Sequence, residues 1–203
     1  MRKGGQSQKG NSYENRIAKL FTIAYYSEGD GEFRRAPKSG GWDKRVIPAD
    51  LVALRRSEGE GEMLPLDRKA KYPMEIDKAF RFSVECKNWK DENVKHFMSG
   101  LYSVDSQIFG WMEQAIEDAS YSKKTPIVVF KLFGTKDVIE ILYPDFAKLS
   151  EIFGVFPGKM YIVGSIIPGT EEGKSYVFAL FSDFLEWIDW EIYKSAVLKG
   201  EIE

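Results

Sequence analysis

Hydrophobic positions recur with a helical period near the start of the chain. Within NSYENRIAKLFTIAYY the apolar residues fall at i, i+3, i+4 and i+7, which is one face of an α-helix, and they are Ile17, Leu20, Phe21 and Ala24. This helix is predicted to begin at Asn11, a residue type that caps helix N-termini. The ten residues before it are polar, glycine-rich and basic, and they predict a flexible arm over 1–10.

Strand patterns follow this helix. FRRA and ADLVAL are predicted to form short strands on either side of a turn that contains Ser39, Gly40 and Gly41. The charged segment 55–78, which glycines and prolines interrupt, is predicted to be a long insertion between two strands. In FSVECKNWK, residues 82–90, apolar and polar positions then alternate, which predicts a half-buried strand with one wet face.

A second helical period and several apolar runs complete the chain. DSQIFGWMEQAIEDA (105–119) is predicted to be an amphipathic helix, and TPIVVFKLF (125–133) a buried strand. Three more strands and a final helix are predicted, at 138–143, 160–164, 176–181 and 182–194. The order over the first two thirds is therefore helix, three strands, helix, strand. We expect one domain over 11–203, with a core at about 11–132 and a C-terminal α/β extension at 133–203.

Composition excludes several classes of protein. A chain of 203 residues with 43% apolar content is large enough for a packed core. A single cysteine and a single histidine exclude an internal disulfide, a thiolate metal cluster and any site that needs several imidazoles. There is no signal-like apolar segment and no apolar run of about 18 residues. We therefore expect no membrane contact and a cytoplasmic location.

Positive charge is concentrated early in the chain, although the formal net charge is −2. The segment 34–45 holds five basic residues against Asp43, and they are Arg34, Arg35, Lys38, Lys44 and Arg45. Because Trp42 and two glycines lie among them, contact with a nucleic-acid backbone is favoured over an ordinary exposed hairpin.

The alternating segment 82–90 carries the candidate chemistry. Side chains two residues apart on a strand share a face, so Glu85 and Lys87 are expected to lie side by side. Asp50, at the start of an earlier strand, can approach Glu85 from across the sheet. Two converging carboxylates repel each other unless a cation lies between them, and Mg²⁺ prefers such oxygen ligands. Lys87 is then placed to orient a metal-bound water or to offset charge in a transition state.

Simpler interpretations exist for these residues and for two others that could belong to the same site, Glu14 and Gln114. A Glu-x-Lys triplet occurs by chance in many chains as a solvated strand face, and Asp43 or Asp77 could replace Asp50 as the second carboxylate. Glu14 follows Asn11 by three residues, which also fits a capping box. A surface amide is the simpler interpretation of Gln114. Two further residues carry no firm assignment, and they are His96 and Lys131.

Together these positions resemble the PD-(D/E)XK nuclease superfamily, and within it the archaeal-type Holliday-junction resolvases and related phage endonucleases. The resemblance covers about 11–132. It rests on five short motifs, which are Tyr13-Glu14, Arg35-Ala36, Ser39-Gly40-Gly41, Pro48-Ala49-Asp50 and Glu85-Cys86-Lys87. Ala49 separates the proline from the aspartate, and the gap between Asp50 and Glu85 is longer than in a minimal core of the family.

The resemblance implies a restriction-endonuclease-like α/β core, in which helices flank a central mixed β-sheet in the order αβββαβ. It implies a DNA endonuclease that binds one or two Mg²⁺ ions, or Mn²⁺ as a substitute, through Asp50, Glu85 and the Cys86 carbonyl. Glu14 would help to hold a metal or a water, and Gln114 would lie near the metal. The backbone contacts would be Ser39 and the strand arginine, Arg34 or Arg35.

The resemblance also implies branched DNA as the substrate and a homodimer as the active form. Three alternatives stay open at this point. They are a nuclease of the same core that acts on linear duplex or DNA ends, a catalytically silent DNA-binding module, and an unrelated α/β protein with a coincidental motif.

Overall fold

The structure is a computed structural model that describes residues 5–36, 49–57, 74–89, 107–132, 134–166 and 173–202. The helices in these ranges are α1 (Gly5–Tyr25), α2 (Gln107–Ser120), α3 (Tyr143–Phe153), α4 (Phe181–Trp187) and α5 (Trp190–Lys199). The strands are β1 (Gly31–Arg35), β2 (Leu51–Arg56), β3 (Met74–Ile76), β4 (Phe82–Trp89), β5 (Thr125–Leu132), β6 (Val138–Leu142), β7 (Met160–Ile166) and β8 (Gly173–Leu180).

The described strands form two sheets that meet beside Asp50. An antiparallel sheet has the order β1-β2-β3, and a larger mixed sheet has the order β4-β5-β6-β8-β7. In the mixed sheet β4 and β5 run parallel, whereas the other neighbours are antiparallel. This confirms the predicted α/β fold with a mixed sheet between helices.

Two apolar cores cover the two faces of the mixed sheet. On one face, Val84, Val129 and Val177 pack with α1 and with the helices that follow β6 and β8. The opposite face, which includes Val128 and Phe130, packs against α2. Central strands such as β5 are therefore buried on both sides, as their continuous apolar sequence predicts. In the described part of the chain, no helix combines the length and the apolar character needed to cross a bilayer.

The first helix begins earlier than its sequence pattern predicts. α1 starts at Gly5, so the arm predicted for 1–10 overlaps this helix from Gly5 onward. Polar residues can extend a helix that is already held by a packed apolar face, here Ile17 and Phe21. Since Asn11 lies inside α1, the predicted helix start is wrong, and so is the capping-box interpretation of Glu14.

The insertion predicted at 55–78 is also shorter than expected. β2 continues to Arg56, and β3 lies within the predicted insertion and pairs with β2. The Arg55 guanidinium contacts the Glu75 carboxylate across this pair at 2.6 Å. The sequence resembles a loop at the end of β2 and over β3, because both places carry charged side chains that face solvent.

The helix predicted at 182–194 is two helices. The break lies at Ile188 and Asp189, whose backbones are extended. The Asp189 carboxylate accepts hydrogen bonds from the backbone N–H groups of Glu191 and Ile192 and thereby starts a new helix. In addition, α3 was not predicted, although a proline near its start is a common helix signal.

The predicted wet face of β4 is largely buried. Ser83 is 2% exposed and Glu85 is 6% exposed, because α2 covers the side of β4 that carries them. The prediction of one exposed face was therefore wrong for these two residues. Covering this face places a carboxylate in a region of low dielectric constant.

Glu140 is a second buried carboxylate on the same face of the sheet. It pairs in register with Val128, which pairs with Glu85. Glu140 is fully enclosed, and neither carboxylate oxygen has a hydrogen-bond partner among the described residues. Burial raises the pKa of Glu140 well above its usual value, and Glu113 adds to the increase. The side chain thus favours its protonated form over a wider pH range than an exposed glutamate.

We expect Glu140→Gln to make the protein more resistant to alkaline conditions. The native pKa lies above the unfolded pKa, so stability is fully present below the unfolded value and falls as the pH rises. The limiting slope is about 1.4 kcal/mol per pH unit for one group. The free energy of unfolding of Glu140→Gln, relative to that of the wild type, should increase between about pH 5 and pH 8 in urea titrations. The exposed residue Glu151 supplies the control Glu151→Gln. A difference that stays constant with pH would contradict the assignment.

Candidate active site

Strand β4 places Glu85 and Lys87 together, as the alternation predicts. The Lys87 Nζ lies 2.5 Å from the Glu85 Oε1 and donates a hydrogen bond to it. The Lys87 side chain is 23% exposed, whereas that of Glu85 is 8% exposed. The pair therefore stands where a buried strand reaches solvent, with the ammonium group nearer to water.

Asp50 joins this pair from the neighbouring sheet. Its backbone N–H donates to the Val84 carbonyl at 3.0 Å. Its Oδ2 accepts a hydrogen bond from the backbone N–H of Cys86 at 2.9 Å. The residue before β2 is thus fixed to the strand that carries Glu85. Ala49, which separates Asp50 from Pro48, does not turn the carboxylate away from β4.

The electrostatics of Glu85 reflect this convergence. Burial and, to a smaller extent, the Asp50 carboxylate raise the pKa of Glu85, Lys87 opposes both effects, and the resulting pKa is about 7. Asp118 makes a smaller contribution that raises the pKa of Glu85. A buried carboxylate beside a second carboxylate is stabilised by a cation or by a proton.

Gln114 of α2 contacts both members of the pair. Its Oε1 accepts a hydrogen bond from the Lys87 Nζ at 3.0 Å, and its Nε2 donates to the Glu85 Oε1 at 3.2 Å. The interpretation as a plain surface amide does not describe these contacts, although the residue is exposed. The signal in the sequence was weak, since the helical period shows only that Gln114 lies beside the buried stripe of α2.

Glu14 reaches the same region from α1. It is 2% exposed, and its Oε2 lies 3.6 Å from the Arg35 Nε. Arg35 pairs in register with Leu51, the residue after Asp50. In addition, the backbone N–H of Ala36 donates to the Asp50 carbonyl at 2.7 Å. Glu14 and Arg35 therefore lie at the end of β1 that borders Asp50.

Arg34 contacts a different carboxylate from the one that Arg35 contacts. The Arg34 guanidinium contacts Glu32 through its Nε at 2.8 Å. The remaining predicted contacts to DNA, together with Asp43 and His96, lie outside the described residues, and these contacts are Lys38, Ser39, Lys44 and Arg45.

Two alternative roles do not fit their surroundings. The Asp77 carboxylate accepts hydrogen bonds from the Tyr26 hydroxyl and the Ala79 backbone, both at 2.9 Å, so it is engaged in a turn. Lys131 pairs in register with Asn88 and therefore lies on the sheet face opposite to Lys87. Lys131 therefore does not share the cleft of Glu85.

The donor set suits a divalent ion with oxygen ligands. Asp50 and Glu85 offer two carboxylates, and burial of the Cys86 thiol in the core leaves the backbone carbonyl as the candidate ligand of this residue. No group of three or more His, Cys, Asp and Glu side chains able to hold a metal occurs in the part of the chain described. Mg²⁺ tolerates such a partial set, since it keeps several waters and uses one or two carboxylates together with phosphate oxygens. The mutual repulsion of the two carboxylates also favours a divalent cation between them.

Comparison with known protein families gives a match over most of the chain. A family model described as "Phage putative PDDEXK endonuclease" matches residues 5–193 of the chain. This range includes every candidate site residue above and extends past the core into α5. Neither the curated proteins nor the solved structures gave a match.

We expect Lys87→Met to raise the pKa of Glu85 above about 7 in metal-free protein. The substitution removes both the positive charge and the hydrogen bond that lower this pKa, while burial and Asp50 remain. Titration of the ¹³C-labelled glutamate carboxyl by NMR measures the change. Lys174→Met is the matched control, because its ammonium pairs with Glu113 at 2.7 Å instead. An identical titration of Glu85 in wild type and Lys87→Met would refute the assigned coupling.

Proposed function

Since this chain belongs to the phage PDDEXK endonuclease family, we propose that it is a Mg²⁺-dependent DNA endonuclease that hydrolyses phosphodiester bonds. The observation that carries this proposal is the attachment of Asp50 to the strand of Glu85 and Lys87. An acid from one sheet meets an acid and a base from the other, at the edge of a buried strand. Burial does not by itself favour two carboxylates side by side, because their like charges repel.

In this proposal Asp50, Glu85 and the Cys86 carbonyl bind the metal, and Mn²⁺ can substitute for Mg²⁺. The bound ion supplies a water of lowered pKa and neutralises charge on the phosphate. The hydrogen bond from the Cys86 N–H to Asp50 holds the aspartate carboxylate in place. Burial keeps Glu85 poorly hydrated and thereby strengthens its attraction to a cation.

Lys87 and Gln114 are assigned to the reacting groups. Lys87 donates to both Glu85 and Gln114, so its ammonium is held at the solvent border of the site. From there it offsets negative charge on the phosphate or orients the attacking water. Gln114 restricts the lysine to this position. Glu14 is assigned to help hold a metal or a water, and its ion pair with Arg35 places it at the end of β1 that borders Asp50.

The basic residues of β1 and of the segment that follows it are assigned to the DNA backbone. Arg34 and Arg35 lie on β1, the end of which borders Asp50. The further contacts in this assignment are Lys38, Ser39, Lys44 and Arg45. Contacts with phosphate position DNA without reading its sequence, and guanidinium groups bind phosphate in a bidentate manner.

The preferred substrate in this proposal is branched DNA of the Holliday-junction type, and the active form is a homodimer. This finer assignment rests on the sequence resemblance. Symmetric cleavage of two strands needs two identical sites, which a homodimer supplies.

Removal of the metal or of the central side chains should abolish cleavage. We expect EDTA to stop DNA hydrolysis and added Mg²⁺ to restore it. Glu85→Gln and Lys87→Met should each lower the cleavage rate at least about a hundredfold, because each removes charge from the reacting centre. Lys131→Met is the matched control, since this lysine lies on the opposite face of the adjacent strand. Unchanged activity in both site variants would refute the metal-site assignment, whereas DNA binding without any cleavage in the wild type would identify a silent binding module.

Cleavage should also depend on DNA structure. We expect four-way junctions to be cut faster than nicked or linear duplexes of the same sequence, when Mg²⁺ and enzyme concentration are matched. Sedimentation of the same protein–junction mixture should show two chains on each junction. Faster cleavage of linear DNA would reject the assignment to branched substrates but would keep the nuclease chemistry.

A further inference from the structure

The alternating side chains of β4 continue past Lys87 to a tryptophan. Glu85, Lys87 and Trp89 occupy every second position, so all three share one face of the strand. Two residues of a β-strand span about 7 Å, which is close to the length of one extended nucleotide. Trp89 therefore stands one nucleotide length away from the lysine assigned to the phosphate.

Trp89 is held from behind by other aromatic rings. Its ring centroid lies 5.2 Å from that of Trp111 in α2, with an angle of 59° between the two planes. Trp111 is buried and lies 5.5 Å from Phe130 of β5. Trp89 itself stays partly exposed at the rim of this core. The indole is thus a supported surface rather than a freely rotating side chain.

A supported, partly exposed indole beside the proposed phosphate site is suited to binding a nucleobase. Nucleobases stack on aromatic side chains whatever their sequence. In a continuous duplex, neighbouring base pairs already cover both faces of each base. An unpaired base at a branch, a bulge or an end has a face that can stack on a protein ring.

We infer that Trp89 is a stacking site for an unpaired nucleobase next to the scissile phosphate, and that it selects DNA in which base stacking is interrupted. This inference rests on the proposed nuclease function. It assigns the selection to one side chain on the catalytic strand. The neighbouring Asn88 points to the other face of β4 and takes no part.

Tyr161 of β7 provides a matched control. It is an exposed aromatic residue, with 60% of its surface accessible. Register pairs connect it through Phe178, Glu140 and Val128 to Glu85, so it lies on the same sheet face. However, β7 is at the opposite edge of the five-stranded sheet from β4. An exposed ring on this face is therefore available without proximity to Lys87.

The test compares DNA binding in EDTA, where cleavage does not interfere. The probes are a labelled duplex with a short unpaired bulge and the same duplex without the bulge, and the readout is anisotropy. We expect Trp89→Leu to lower the ratio of the two affinities by about tenfold to a hundredfold, because leucine keeps the apolar contact but cannot stack on a base. Trp89→Phe should retain most of the ratio, and Tyr161→Leu should retain all of it. An unchanged ratio in Trp89→Leu would overturn the inference.

A second measurement covers the case in which Trp89→Leu does not fold. Bulged DNA should quench the tryptophan fluorescence of the wild type more than that of Trp89→Phe, since the stacked indole is missing from the variant. Equal quenching in the two proteins would also overturn the inference. Both readouts report binding, so they remain informative if the wild type cuts no DNA, a result that would refute the proposed nuclease function separately.

Discussion

The hydrogen bonds between Asp50 and β4 connect the two sheets at the place where the candidate chemistry is assembled. Asp50 donates through its backbone to Val84, and its carboxylate accepts from Cys86. A carboxylate that accepts a hydrogen bond from a backbone N–H of β4 has little freedom to move away from that strand. The position of Asp50 relative to Glu85 is therefore set by main-chain geometry, which is more rigid than a contact between two long side chains.

Burial of Glu85 has both an energetic cost and a chemical use. The folded, metal-free protein holds this carboxylate beside Asp50 with little water, and Lys87 and Gln114 offset only part of the penalty. The divalent cation proposed for this site would relieve the same penalty more completely, since it would attract both carboxylates at once. α2 is responsible for this environment, because one helix both covers the second core and supplies Gln114.

Local periodicity predicted most of the elements that build the site. The strand at 82–90, the helix at 105–119 and the strand at 125–133 lie within a few residues of β4, α2 and β5. The errors occurred where packing, capping hydrogen bonds or charged side chains hide the bounds of an element from its hydrophobic period. α1 extends back to Gly5 beyond the cap-like Asn11, and the carboxylate of Asp189 divides the final helix. β3 and the end of β2 were missed because their charged residues resemble a loop.

The sequence by itself determined that Glu85 and Lys87 are neighbours, because a strand of period two places alternate side chains on one face whatever surrounds it. It also determined which residue types are available to the proposed metal site. Only the tertiary structure decided that Glu85 is buried and that Gln114 contacts it from another element. Burial and long-range hydrogen bonds depend on how separate elements pack, and neither the spacing within a strand nor the period of a helix encodes that packing.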